Sequence, residues 1–185
     1  MPEIALHILD LAENCVKAGA GHVIITVSLE GDQLCVTIED DGCGMDEALL
    51  ARVESPFATT RTTRKVGLGI PMFKQLAEMC EGTFSIRSEK GRGTLLAATF
   101  RRSHVDLPPI GDLAGTMRTL IIACPDRPEF CLRYRQDGGE FVFDTQEIRK
   151  AVGGLSLNEP EILEWIGEYL TQGLAEAAGS HRQEQ

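Results

Sequence analysis

The sequence predicts an α/β fold, in which a mixed sheet carries helices on one face as a two-layer sandwich. The first observation is that residues 3–18 look like a helix that runs into a strand. The second is that apolar and polar residues alternate over 35–40, as they do along a half-buried strand. The third is an apolar helix pattern at 69–81, which two further strand patterns follow.

The order of elements over residues 1–102 supports the same fold class. Gly31-Asp32 marks a hairpin turn, and Gly91 and Gly93 bracket a second hairpin. The predicted elements are helix 3–18, strands 22–30 and 34–40, helix 46–53, loop 55–66, helix 69–81, and strands 83–88 and 93–101. We therefore expect residues 1–102 to form one domain.

A smaller region follows a predicted linker at residues 103–114, where Pro108-Pro109 interrupts regular structure. Residues 115–178 are expected to form a small α+β region of unknown role, and residues 179–185 a tail. The predicted elements are three short strands in MRTLIIACP, FCLRYR and EFVFDT, a tight turn at 137–139, a short helix in QEIRKAVG, and a longer helix that begins at Asn158 or Glu159.

Composition limits the classes of partner. The chain has 185 residues, 43% hydrophobic and 25% charged, and a formal net charge of −10. An acidic chain is a poor binder of nucleic acid. The six cysteines form no CxxC pair, the sequence contains no apolar run of 18 residues, and we expect no leader segment. We therefore expect no nucleic acid, no membrane and a cytoplasmic location.

The first helix places three functional side chains on one face. Asp10 and Asn14 are four residues apart, and Lys17 lies one turn further on. The carboxylate can orient or deprotonate a nucleophile, the amide oxygen can bind a hard cation, and the ammonium can neutralise phosphate. This is the chemistry of a magnesium-nucleotide site. From these three residues alone, a solvated helix face without a ligand is as good an interpretation as a magnesium-nucleotide site.

A glycine-rich turn follows the second predicted strand. Asp40 ends that strand and the sequence continues as DGCGM, with glycines at Gly42 and Gly44. The carboxylate of Asp40 can accept a hydrogen bond from an exocyclic amine, and the glycines permit a close backbone approach. Such a motif taken singly often marks an ordinary turn.

A third stretch, ESPFATTRTTRKVGLGIPMFKQLAEMCEG, begins as a threonine- and arginine-rich loop and becomes a helix. Gly67 and Gly69 lie at the start of that helix, whose free N–H groups form an anion site. Arg61, Arg64 and Lys65 add positive charge beside it. Together with the two earlier elements, this stretch indicates a phosphate ligand.

These motifs resemble the family of gyrases, heat-shock chaperones, histidine kinases and MutL, which share the Bergerat ATP-binding fold. DLAENCVKAGA looks like the Asn box of this family, DDGCGM like its first glycine box, and KVGLGI like its second. SPF resembles the phenylalanine box of histidine kinases, and GRGTLLAATF is similar to the closing Gly-Thr strand. The match covers about residues 1–102, in order and with family-like spacing.

The resemblance implies roles for individual residues. Asn14 would bind the magnesium that bridges the phosphates, Asp10 would be the general base, and Asp40 would hold the adenine amine. The other residues implied in ATP binding are Lys17, Gly42, Gly44, Met45, Arg61, Arg64, Lys65, Gly67, Leu68, Gly69 and Thr94. The implied cofactors are ATP and Mg²⁺.

The chain departs from the family pattern at two positions. Asp10 stands where gyrase-like members carry Glu, and its side chain is one methylene shorter. Lys65 stands where histidine kinases often place the first of three glycines, a reduction also found in stand-alone anti-sigma kinases. As a whole the chain is similar to small stand-alone ATPase-domain proteins, some of them encoded beside iron-only hydrogenases.

Three functions remain open. The protein would phosphorylate a partner, act as a weak ATPase switch, or serve as a non-catalytic nucleotide sensor. Lys17 favours a kinase, Asp10 in the base position favours an ATPase, and the shortened base favours a sensor. We expect a protein partner and allow for a homodimer. We expect no phosphoacceptor hairpin before the ATP-binding domain, and we expect His7 to be structural.

Overall fold

The computed structural model describes residues 3–54 and 68–179 and contains one six-stranded sheet. In chain order the elements are α1 Ile4–Lys17, β1 His22–Glu30, β2 Gln33–Asp40, α2 Glu47–Val53, α3 Gly69–Met79, β3 Phe84–Glu89, β4 Gly93–Arg101, α4 Leu113–Ala123, β5 Glu129–Gln136, β6 Gly139–Asp144, α5 Thr145–Ala151 and α6 Pro160–Gly179.

The sheet is mixed, with the strand order β3-β4-β2-β1-β5-β6. Strand β5 runs parallel to β1, and every other neighbouring pair is antiparallel. Glu30 pairs with Gln33, so the hairpin predicted at Gly31-Asp32 is confirmed. The second predicted hairpin is also confirmed, since Glu89 pairs with Gly93.

One face of the sheet packs against helices and forms the core. In β1 the buried residues alternate with partly exposed ones, and Val23, Ile25 and Val27 are fully buried. Helix α1 packs on β1 and β2, α3 on β3 and β4, and α6 on β5 and β6. The predicted α/β sandwich with a mixed sheet is therefore confirmed. None of the helices within the described ranges is long and apolar enough to cross a bilayer.

The prediction of a strand in MRTLIIACP is wrong, because this segment belongs to helix α4. Asp112 caps the helix by accepting a hydrogen bond from the Gly115 N–H at 2.7 Å. Leu113, Met117 and Leu120 are buried at helical spacing against α1 and α6. The β-branched residues in the segment favour a strand locally, but burial of one helix face outweighs that preference.

The other C-terminal elements form where they were predicted, and the two strands among them belong to the same sheet. Strands β5 and β6 connect through the turn at 137–138, and α5 and α6 follow. The segment before α4 is attached to the start of α1, because the Ile4 and Ala5 N–H groups donate to the carbonyls of Pro109 and Ile110 at 3.0 and 2.8 Å. The division into domains at residues 103–114 stays a prediction.

Candidate functional site

A cavity of about 270 Å³ lies between α1, α2, α3 and the ends of β2 and β4. Apolar side chains form most of its wall: Leu11, Ile38, Met45, Leu49, Val53, Ile70, Ile86 and Leu96. The polar residues that also line it are Asn14, Lys17, Asp40 and Thr94. This size is near the lower end of ligand pockets, about 300 Å³, and suits a ring system more than a whole nucleotide.

Asp40 is the buried charge of this cavity. Asp40 is 8% exposed, and its Oδ1 accepts a hydrogen bond from the Gly42 N–H at 2.8 Å. Among the described residues, no lysine, arginine or histidine forms an ion pair with it. An ionised carboxylate offers about four acceptor positions, so Asp40 retains capacity for further donors. A ligand in the cavity could supply such a donor.

The DGCGM turn and the β3–β4 hairpin meet at a corner beside the cavity. Two glycines are required at this corner. Gly44 has φ 64°, and a Cβ there would overlap the Glu89 carbonyl. Gly93 has φ 101°, and a Cβ there would overlap the Asp40 carbonyl. Both glycines therefore allow the DGCGM turn to lie directly on the β3–β4 hairpin. The close approach is made by protein backbone, which is a sufficient reason for glycine even without a ligand.

Ser88 on β3 joins the two sides of this corner, and no sequence motif predicts it. Its Oγ accepts the Met45 N–H at 2.8 Å, lies 2.8 Å from Thr94 Oγ1, and donates to the Gly93 carbonyl at 3.0 Å. Thr94 in turn pairs across the strands with Asp40. A single serine has no local sequence signal, and only the pairing of β3 with β4 places it here.

Asp41 was given no role from sequence, and the structure gives it a structural one. Its Oδ1 accepts the N–H groups of Gly21 and His22 at 2.7 and 2.8 Å, and its Oδ2 lies 3.3 Å from His22 Nδ1. These hydrogen bonds, chiefly the one from the His22 N–H, hold the pKa of Asp41 below its usual value. Asp41 thereby fixes the start of β1 beside the glycine-rich turn.

The α1 face meets the start of α3. Asn14 and Lys17 line the cavity, whereas Asp10 is exposed and lies outside its wall. A carbon added at Gly69 would be 3.5 Å from the Cβ of Asp10 and 3.8 Å from its Oδ2. Asp10 therefore faces the N-terminal turn of α3, where free N–H groups favour negative charge. Lys17 also pairs with Glu13 at 3.7 Å.

Several predicted positions fall elsewhere. Arg61, Arg64, Lys65 and Gly67, together with the SPF motif, lie outside the described residues. Leu68 is the residue before α3 and is exposed. Gly42 lies beside the cavity without lining it, and its N–H is occupied by Asp40. The predicted contacts of these residues with a nucleotide stay predictions.

Burial shifts the pKa of two other titratable groups of α1, Cys15 and His7, in the direction that favours the neutral form. Burial, and then the nearby Asp40 carboxylate, raise the pKa of the Cys15 thiol above its ordinary range. His7 packs on Phe73 with ring centroids 5.6 Å apart, and burial lowers its pKa. His7 is therefore a packed residue, as expected.

The family described as "Histidine kinase-, DNA gyrase B-, and HSP90-like ATPase" matches residues 3–104. The chain belongs to this ATPase family. The match covers α1 through β4, which is the part of the chain that builds the cavity. The recognition of the Asn and glycine boxes is thereby confirmed at the level of the family, whereas the resemblance to anti-sigma kinases and hydrogenase-associated proteins stays a prediction.

Characterised relatives of this ATPase domain include bacterial kinases. The chain is 30% identical over 109 residues to sporulation kinase E of Bacillus subtilis, which is 58% of this chain and 14% of that protein. It is 40% identical over 89 residues to sensor protein kinase FleS of Pseudomonas aeruginosa, which is 47% of this chain and 22% of that protein. The chain thus spans less than a quarter of either relative.

The solved structures support the fold. A crystal structure of the N-terminal domain of a DNA repair protein superposes with a TM-score of 0.50 at 12% identity, covering 77% of this chain and 52% of that one. At this identity the likeness concerns the fold alone. An ATPase domain of this family is a nucleotide-binding domain.

Proposed function

We propose that this protein is a Mg²⁺-dependent ATP-binding regulatory protein, and that the adenine occupies the cavity against Asp40. The observation that supports this most is a carboxylate, 8% exposed, on an apolar wall with no ion-pair partner among the described residues. The adenine amine would supply a further donor, and the apolar wall would cover the ring. Thr94, which is paired with Asp40 across the strands, would support the same edge of the base.

The phosphates would then lie at the mouth of the cavity, between α1 and the first turn of α3. Mg²⁺ in nucleotide sites keeps several waters and binds through one or two protein oxygens and the phosphates. The amide oxygen of Asn14, which lines the cavity, fits that limited role. Lys17 would neutralise phosphate charge, and the free N–H groups at Gly69 would donate to it.

Asp10 would act on the reacting end of the nucleotide. Its carboxylate faces the start of α3, where the terminal phosphate is expected, and it does not line the adenine cavity. From that position it can orient or deprotonate an attacking group. When bound, Mg²⁺ would supply charge neutralisation for phosphoryl transfer.

The reaction we favour is transfer of phosphate to a partner protein. The relatives that match this domain include proteins named as kinases, and this supports a phosphotransferase. A weak ATPase switch is the second candidate, supported by the position of the Asp10 carboxylate beside α3. In the third candidate the shorter aspartate leaves turnover negligible, and ATP binding alone controls the partner.

Calorimetry with Mg-ATP tests the nucleotide site. We expect heat of binding for the parent and about tenfold to hundredfold weaker binding for Asp40→Asn, because a charge-assisted hydrogen bond contributes about 1.5–3 kcal/mol. The matched control is Glu39→Gln, the exposed neighbour on the opposite face of β2. Absence of heat at millimolar nucleotide would contradict the proposal.

Labelled ATP then separates the reactions. A labelled protein in a lysate that depends on added parent, and is missing with an Asn14→Ala variant, would support a kinase. Phosphate release without a labelled protein would support the ATPase switch. Binding with neither result would leave the sensor.

A further inference from the structure

Helix α6 presents an exposed pair of aromatic rings that the nucleotide site does not use. Trp165 and Tyr169 are stacked, with ring centroids 5.1 Å apart and an angle of 7° between the planes. They are 48% and 40% exposed. Because Tyr169 covers one face of the indole, this exposure places the other face of Trp165 toward solvent.

Tyr169 of this stacked pair packs on aromatic side chains of β6. Phe141 on β6 meets Tyr169 edge to face at 5.4 Å, and the buried Phe143 lies at 6.3 Å. Tyr169 is therefore anchored to the core, and it holds the indole of Trp165 in a defined orientation. A rigid aromatic surface of this kind requires little ordering when it binds a partner.

Glutamates of α6 flank the rings of Trp165 and Tyr169. Glu161 and Glu168 stand four residues before and three residues after Trp165, so they flank it on the same helix face, and Glu164 is adjacent. Residues 151–179 contain five glutamates and no lysine, arginine or histidine, which is −5 of the chain's net −10. Within the described part of the chain, Glu161, Glu164 and Glu168 form no ion pair, and the one nearby cation is Arg118 of α4, which lines the same groove as Glu164 and Glu168.

The charge decides which occupant fits this surface. A second copy of the chain placed on the same face across a two-fold axis would oppose two surfaces of like charge. Nucleic acid and anionic lipid would be repelled for the same reason. A cation suits it, because an aromatic face attracts positive charge and the flanking carboxylates accept its hydrogen bonds.

We propose that this surface, Glu161, Trp165, Glu168 and Tyr169, binds an arginine-bearing segment of a partner protein. The planar guanidinium would stack on the solvent face of Trp165, and its N–H groups would donate to Glu161 and Glu168. A flat guanidinium matches an indole face better than the compact ammonium of lysine does. This inference does not depend on the nucleotide site.

The protein carries its own reporter for this surface, since Trp165 is the only tryptophan of the chain. The probe is a short synthetic peptide that alternates arginine with leucine, titrated at low salt while the Trp165 fluorescence is followed. The comparison peptide carries citrulline in place of arginine, which keeps the planar shape and removes the charge. We expect a saturable fluorescence change with the arginine peptide and at least tenfold weaker binding of the citrulline peptide.

A pair of double variants separates this surface from the overall charge. Glu161→Gln with Glu168→Gln should weaken binding of the arginine peptide at least threefold. Glu47→Gln with Glu78→Gln makes the same change in net charge at exposed sites on other helices and should leave binding unchanged. Equal binding of both peptides, or equal loss in both double variants, would overturn the proposal. A fluorescence change that depends on protein concentration without peptide would overturn it in favour of a second copy.

Discussion

The hydroxyl oxygens of Ser88 and Thr94 lie 2.8 Å apart on neighbouring strands, and the same Ser88 oxygen accepts the Met45 N–H at 2.8 Å. Ser88 thus connects the glycine-rich turn, through Met45, to the residue beside Asp40. The orientation of the Thr94 hydroxyl at the cavity depends on a serine that does not line the cavity itself.

Replacement of this serine tests that dependence. We expect Ser88→Ala to weaken Mg-ATP binding about threefold to tenfold, because a neutral hydrogen bond contributes about 0.5–1.5 kcal/mol and the three that Ser88 makes at this corner are lost. Calorimetry measures the dissociation constant. Ser85→Ala, on the same strand but exposed, is the control and should bind as the parent does. Parent-like binding by Ser88→Ala would show that Thr94 does not need this support.

Asp10 should affect turnover more than affinity. Asp10→Asn should keep the dissociation constant within a few-fold of the parent, because the side chain lies outside the adenine cavity. Any phosphate release should fall about a hundredfold to ten-thousandfold, the usual contribution of a general base. Glu78→Gln, at an exposed carboxylate on α3, is the control. Hydrolysis by Asp10→Asn at the parental rate would make the base assignment wrong.

Gly44 should be required for stability. In Gly44→Ala the new methyl group would meet the Glu89 carbonyl at a backbone conformation that alanine disfavours. We expect a loss of about 3 kcal/mol in the free energy of unfolding, measured by urea denaturation. Gly91→Ala is the matched control, since Gly91 also has a positive φ of 82° but open space around it. Its loss should stay near 1 kcal/mol, and equal losses would exclude the overlap as the cause.

The stabilisation from Asp41 should depend on pH. Because hydrogen bonding lowers its folded-state pKa, the contribution is complete above the ordinary carboxyl pKa of about 3.9 and is lost as the pH falls through the lower folded value. Asp41→Asn should therefore be less stable than the parent at pH 7, and the difference should shrink below about pH 4. Urea denaturation across this range measures it. Asp126→Asn, at an exposed loop position, is the control for the loss of one carboxylate.

The local sequence determined the parts of the protein that depend on neighbours in the chain. The spacing of Asp10 and Asn14 places both on one face of α1, and the Gly31-Asp32 turn sets the β1–β2 hairpin. Asp40 at the end of β2 follows from strand alternation. Such features were predictable because helix and strand periodicity act over a few residues. The ordered motifs likewise identified the ATPase family over residues 3–104.

The tertiary structure alone decided what depends on contacts between distant residues. Helix α4 resembles a strand in sequence and is helical because one of its faces packs on α1 and α6. Strand β5 pairs in parallel with β1, and no local sequence pattern predicts this pairing. It brings β5 and β6 into the same sheet as the N-terminal strands. Ser88 reaches Met45, 43 residues away in the chain, only because the β3–β4 hairpin lies against the glycine-rich turn. Local propensity contributes fractions of a kcal/mol per residue, so burial and pairing across the whole chain outweigh it.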